Sequence, residues 1–221
     1  MNRLLLFSVT LAFLATACTS KCTIKGEANL SQLSGKTIFL KFLDDNSNWV
    51  TLDSAEIVHG SFELNYPSVK DPQLVTLFMD CVPLTPLVLE PGAIHIAISA
   101  SDLQIYGTPL NDRLYAFYKD NMEIERRIHE HAHYSPVNDY YETAVQAHQA
   151  LIRNFMRSNS NNILGPSVYS YYQNQYPDLL HSTELESFMN QTMQQPNNTR
   201  ASQYEIEATQ RFKELEGFLF W

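Results

Sequence analysis

Leu52-Asp53-Ser54-Ala55-Glu56-Ile57-Val58-His59-Gly60-Ser61-Phe62-Glu63-Leu64-Asn65-Tyr66 decides the fold. Its second half alternates, with Phe62, Leu64 and Tyr66 on one face and Ser61, Glu63 and Asn65 on the other, the two-residue period of a half-buried strand. His59-Gly60 interrupts the run, and glycine supplies the positive φ that a tight turn requires. The stretch therefore predicts a hairpin that joins residues 49–58 to residues 61–66. Short apolar runs lie on either side: Thr37-Ile38-Phe39-Leu40-Lys41-Phe42-Leu43 before it, and residues 73–79, 84–90, 93–99 and 103–106 after it. Asp44-Asp45-Asn46-Ser47-Asn48 and Pro91-Gly92 punctuate them as turns. Roughly seven strands with no helix between them predict an antiparallel β-sandwich or partial barrel over residues 22–108.

After Gly107-Thr108-Pro109 the period lengthens. Leu110, Leu114, Phe117, Tyr118, Met122 and Glu125 fall three and four apart, and Ala144, Val145, His148, Leu151, Ile152 and Phe155 continue the spacing. These are amphipathic helices, separated at Ser135-Pro136-Val137-Asn138 because proline disfavours helix in the residue before it. A third helix is expected from about Asn161, carrying Tyr169, Tyr171 and Tyr172. A fourth follows Pro177 and a fifth runs from Ser202 toward Gly217, with Gln194-Gln195-Pro196-Asn197-Asn198 as a polar linker between them. The expected class is α+β, an N-terminal β domain followed by a helical region over residues 109–221.

The chain opens on Met1-Asn2-Arg3 and an apolar run from Leu4 to Leu14, too short for the roughly 20 residues of a membrane span and suited to a secretory signal. Leu14-Ala15-Thr16-Ala17-Cys18 resembles the bacterial lipobox, which implies a signal peptide over residues 1–17 and a lipidated N-terminus and linker over residues 18–21. Cys18 would carry the diacylglycerol and amide-linked acyl chains, palmitate among them, and several chains anchor stably where one does not. Thr19 is not the aspartate that holds many lipoproteins at the inner membrane. The expectation is therefore a cell-envelope protein at the outer membrane, facing the periplasm. The formal charge of −9, or −10 once Arg3 leaves with the signal, argues against nucleic acid as partner. Cys22 and Cys81 remain in a compartment that permits disulfides, either paired or used as small apolar strand residues.

Five motifs recur in order: Cys22-Thr23-Ile24-Lys25-Gly26; Gly35-Lys36-Thr37-Ile38-Phe39-Leu40; residues 52–62; Leu87-Val88-Leu89-Glu90-Pro91-Gly92-Ala93-Ile94; and Tyr106-Gly107-Thr108-Pro109-Leu110-Asn111. Together they resemble the uncharacterised N-terminal domain, a domain of unknown function, of Bacteroidota-type envelope lipoproteins, usually placed ahead of a thioredoxin-like disulfide oxidoreductase. The resemblance covers residues 22 to about 115, and more loosely the helices to Tyr172. It implies no catalytic residues in the β domain. The Cys-x-x-Cys of the oxidoreductase has no counterpart here, and the sequence runs to Phe218-Leu219-Phe220-Trp221, an apolar stretch that reads as a docking segment or as a truncated reading frame.

His129-Glu130-His131-Ala132-His133 carries the chemistry most open to a metal. On a helix His129 and His133 share a face with the spacing of His-Glu-x-x-His, and Glu125 or His148 would have to supply a third ligand. The alternative is a polar helix end whose histidines face the carbonyl terminus. Asp53 and Ser54 near His59 do not converge as a nucleophile and base, because neighbouring strand residues face opposite ways. Glu90-Pro91-Gly92 reads as a turn. Tyr134, Tyr140, Tyr141, Tyr169, Tyr171, Tyr172 and Tyr176 form either a recognition surface for a protein or glycan, or core. No catalytic or cofactor-binding residues are expected. The leading reading is a non-enzymatic, tethered binding or scaffold module. The alternatives are a divergent or truncated thioredoxin-like oxidoreductase lipoprotein and, third, a metal-dependent hydrolase.

Overall fold

The computed structural model describes residues 21–44, 48–132 and 139–175. Eight strands come first: β1 (Cys22–Ala28), β2 (Thr37–Leu43), β3 (Trp49–Glu56), β4 (Ser61–Tyr66), β5 (Gln73–Met79), β6 (Val82–Leu89), β7 (Gly92–Ile98) and β8 (Leu103–Tyr106). Three helices follow, α1 (Pro109–Ala132), α2 (Asp139–Ser158) and α3 (Leu164–Gln175). The α+β layout predicted from the change of period holds, with strands first and helices after.

The strands make two four-stranded sheets, β4-β1-β7-β8 and β3-β2-β5-β6. Alternation sets their inner faces. Ile24, Phe62, Leu64, Ile94 and Ile96 of the first sheet and Ile38, Leu40, Val75, Leu77, Leu87 and Leu89 of the second form one buried cluster. Each such side chain removed from water contributes about 1.5–3 kcal/mol, so this cluster is the main source of stability in the β half.

Two sequence expectations change here. The His59-Gly60 turn is present, with φ of 52° and 76° at its two central residues and Val58 and Ser61 bonded to each other in both directions. Yet it does not join a hairpin. β3 pairs with β2 in one sheet, whereas β4 pairs with β1 in the other. Ile57, fully buried at the corner, marks where the chain crosses between sheets. The second change is that β1 and β7 run parallel, in register from Cys22↔Gly92 to Ala28↔Ile98. A parallel pair needs a long crossover, and here the whole second sheet and β4 lie between the two strands in sequence.

The helices dock on the sandwich through α1, which meets β6 of the second sheet and β8 of the first. Val88, whose neighbours Leu87 and Leu89 face the sandwich, points the other way into a cluster with Leu110, Leu114, Ile163 and Leu164. A second cluster of Phe117, Ile152, Met156, Val168, Tyr169 and Tyr172 holds the three helices together. Residues 1–20, with the leader and Cys18, lie outside the described residues, as do the Ser135-Pro136-Val137-Asn138 separator and the fourth and fifth helices expected beyond Gln175. No described helix is long and apolar enough to cross a membrane.

Candidate functional site

The joint between the sandwich and α1 is built from two of the recurring motifs. Glu90, 6 % exposed at the end of β6, accepts hydrogen bonds from the backbone N–H groups of Leu110 (2.7 Å) and Asn111 (3.1 Å). Those are the second and third residues of α1, whose donors have no partner within the helix. A capping side chain normally takes them, and here a carboxylate from another element does so, where the helix dipole also favours negative charge. Pro109 occupies the first helical position, where no donor is needed. Asn111 works in the opposite direction. Its Oδ1 accepts from the N–H of Val88 (2.9 Å), and its Nδ2 donates to the Val88 carbonyl (2.7 Å) and the Thr108 hydroxyl (2.8 Å). The side-chain amide thus pairs with edge strand β6 as a neighbouring strand would. Glu90 and Asn111 are structural groups, and Glu90-Pro91-Gly92 is a turn, as expected.

A groove of about 1340 Å³ opens beside this joint. Its walls come from β2, β3, β5, the end of β7 and the edge strands β6 and β8, and from α1 and α3. Trp49, Leu84, Leu103, Met122, Val168 and Tyr171 represent its largely apolar lining. Its rim is polar, with Lys119 and Asp120 on it beside several charges that are engaged. Arg126 and Arg127 both bond Glu123 and hold its carboxyl down to about 2, Arg126 also reaches Glu130, and Asp102 accepts from Gln104 and Tyr115. In the wall, the hydroxyl of Ser167, 2 % exposed, has no hydrogen-bond partner among the described residues.

The histidine motif lies only partly within the described residues. His129 is exposed near the end of α1, and His133 lies outside the described residues. No group of three His, Cys, Asp or Glu there is placed to hold a metal. His148, a proposed third ligand, is 3 % exposed, and its Nε2 sits 2.7 Å from Asn121 Oδ1, which also accepts from the Tyr172 hydroxyl (2.8 Å). Burial pushes the imidazole below its usual range. Glu125, 3.7 Å from His148, favours the charged ring, but with its side chain 47 % exposed it is screened by water and does not win. Because the unfolded chain takes up the proton first as pH falls, stability held above the ordinary histidine pKa is lost on acidification. The melting temperature is therefore expected to drop between about pH 7 and pH 5, with that part of the slope absent in His148→Gln.

Asp53 turns its carboxylate back onto the Ser54 backbone N–H (2.8 Å), and His59 sits in the turn, so no nucleophile and base converge. Of the tyrosines, Tyr169 and Tyr172 are core, Tyr171 is half-buried in the groove wall, and Tyr140 is 70 % exposed. Tyr134 and Tyr176 lie outside the described residues. Cys22 and Cys81 are unpaired, one buried and one exposed, and burial raises the Cys22 thiol pKa. A thiol reagent is expected to modify Cys81 rapidly and Cys22 only on unfolding, read by mass spectrometry on the chain from Thr19 onward.

The groove went unseen in the sequence because its walls come from residues far apart in the chain. One signal was available: Pro83 and Pro86 cannot donate to a ladder and mark β6 as an edge strand. Comparison with curated proteins finds no match. A family model matches residues 22–114, running from the first residue of β1 through the Glu90–Asn111 joint. The two sheets and the first turns of α1 thus match the model of a domain of unknown function, DUF4369.

Proposed function

We propose that the protein is a non-enzymatic binding module of the bacterial cell envelope, held at the outer membrane by lipid on Cys18 and facing the periplasm. Its binding surface is the groove between the sandwich edge and the helices, and its partner is an apolar segment of another envelope protein. The groove carries this reading. It exceeds the roughly 300–1,000 Å³ of small-molecule pockets, and an apolar surface that the described residues leave open marks an interaction site. Its rim carries ion pairs and hydrogen bonds among Glu123, Arg126, Arg127, Asp102 and Tyr115, a polar border that suits binding. The tether rests on the cationic head, the apolar run and the small residues before Cys18.

Both halves have direct tests. Cells labelled with palmitate are expected to mark the protein, and Cys18→Ser to abolish the label. An unlabelled protein recovered from the cytosol removes the tether. A photo-crosslinking amino acid at Met122, on the groove rim, is expected to capture envelope protein, while one at Glu63, on the far edge strand β4, is not. Equal capture from both positions removes the groove as the binding surface.

A further inference from the structure

The groove is an apolar surface without a cover among the described residues, and the sequence of residues 202–221 carries a second apolar pattern. Tyr204, Ala208, Phe212, Leu215 and Leu219 fall at spacings of four, four, three and four, the stripe of an amphipathic helix, with Glu205, Arg211, Lys213, Glu214 and Glu216 among the residues between them. Such a stripe is the pattern of helix-in-groove recognition, in which residues three and four apart anchor an apolar face. Size favours this occupant over a small ligand, since the groove of about 1340 Å³ is larger than a small-molecule site. Reach favours it as well. α3 ends at Gln175 and itself lines the groove through Val168 and Tyr171, and residues 176–201 supply enough length to bring residues 202–221 back to it, since even helical chain advances about 1.5 Å per residue. Tethering raises the effective concentration into the millimolar range, so even weak anchors suffice. The orphan hydroxyl of Ser167 in the groove wall is the second sign that the described residues do not complete this site.

Resting on the reading of the groove as the binding surface, we propose that the protein's own residues 202–221 fill it in the resting state. Phe212, Leu215 and Leu219 face the lining, and an external partner has to displace them. The segment competes with the partner, and the competition sets how readily the module engages.

The test uses the full chain in intact cells, with the photo-crosslinker at Met122, which is 63 % exposed and tolerates the change. Mass spectrometry is expected to map the main cross-link to residues 202–221 of the same molecule, same-molecule origin being shown by mixing two isotopically labelled copies. Leu215→Asp is expected to cut that product about tenfold or more, because a carboxylate is costly in an apolar groove, and to raise capture of other envelope proteins. Cross-links between copies overturn the proposal, since a second chain would then be the occupant. Cross-links to other proteins alone, insensitive to Leu215→Asp, overturn it and leave the groove as a binding surface. Absence of any cross-link overturns both.

Discussion

Glu90→Ala is expected to destabilise the protein by about 3–5 kcal/mol, the larger part from two buried donors left without a partner. The Leu110 and Asn111 N–H groups lose their acceptor at the start of α1, the negative charge at the helix terminus disappears, and Asn111 Nδ2 loses a weaker contact with the same carboxylate (3.4 Å). At this size the loss lowers the melting temperature by roughly 10 °C. Glu90→Gln keeps an acceptor oxygen in nearly the same place and is expected to cost only about 1–2 kcal/mol, the increment of a charge-assisted bond. Asn111→Asp sharpens the point. It sets a second carboxylate against Glu90 and an acceptor against the Val88 carbonyl, and is expected to be at least as damaging as Glu90→Ala. Hydrogen exchange separates this joint from a general loss of stability. In Glu90→Ala the Leu110 and Asn111 amides should exchange faster than those in the middle of the helix, and unchanged protection at those two positions would refute the capping role.

The joint also shows why some of this fold was legible in the sequence and some was not. Strand positions came from alternation and from short apolar runs, both local properties, and β2, β4, β5 and β8 lie where those patterns put them. Pairing is not local. His59-Gly60 has the backbone of a hairpin turn, but whether its strands stay together depends on which sheet offers each a partner, and β2 and β1 lie outside the quoted stretch. The parallel β1–β7 pair is a more distant case of the same kind. Glu90 and Asn111 were quoted within motifs that carry the resemblance, yet their role appears only when the end of β6 meets the start of α1. The groove is the extreme case, since its walls gather residues from Phe42 to Tyr172, and its apolar residues were indistinguishable from core.

Gly26→Val is expected to prevent folding, or to cost more than about 3 kcal/mol, although Gly26 needs no unusual backbone angle. The reason lies across the strand pair. Gly26 on β1 is the register partner of Phe62 on β4, and a Cβ built at Gly26 would stand 2.0 Å from the Phe62 ring. The ring is 5 % exposed and belongs to the core cluster, so it cannot swing into solvent without taking apolar surface with it. Overpacking a well-filled core usually costs about 1–3 kcal/mol, and a branched side chain at this distance lies beyond that range. Glycine is a poor strand residue, so its presence in the middle of β1 is explained by the ring that covers it. Phe62→Ala alone is expected to cost about 3–5 kcal/mol through the cavity it leaves. In the double variant the valine occupies part of that cavity, so the two losses should fall short of additive by at least about 1 kcal/mol, measured as a thermodynamic cycle in denaturant. Strictly additive losses would mean that the ring and the glycine do not share one space, and the packing of sheet β4-β1-β7-β8 would need another explanation.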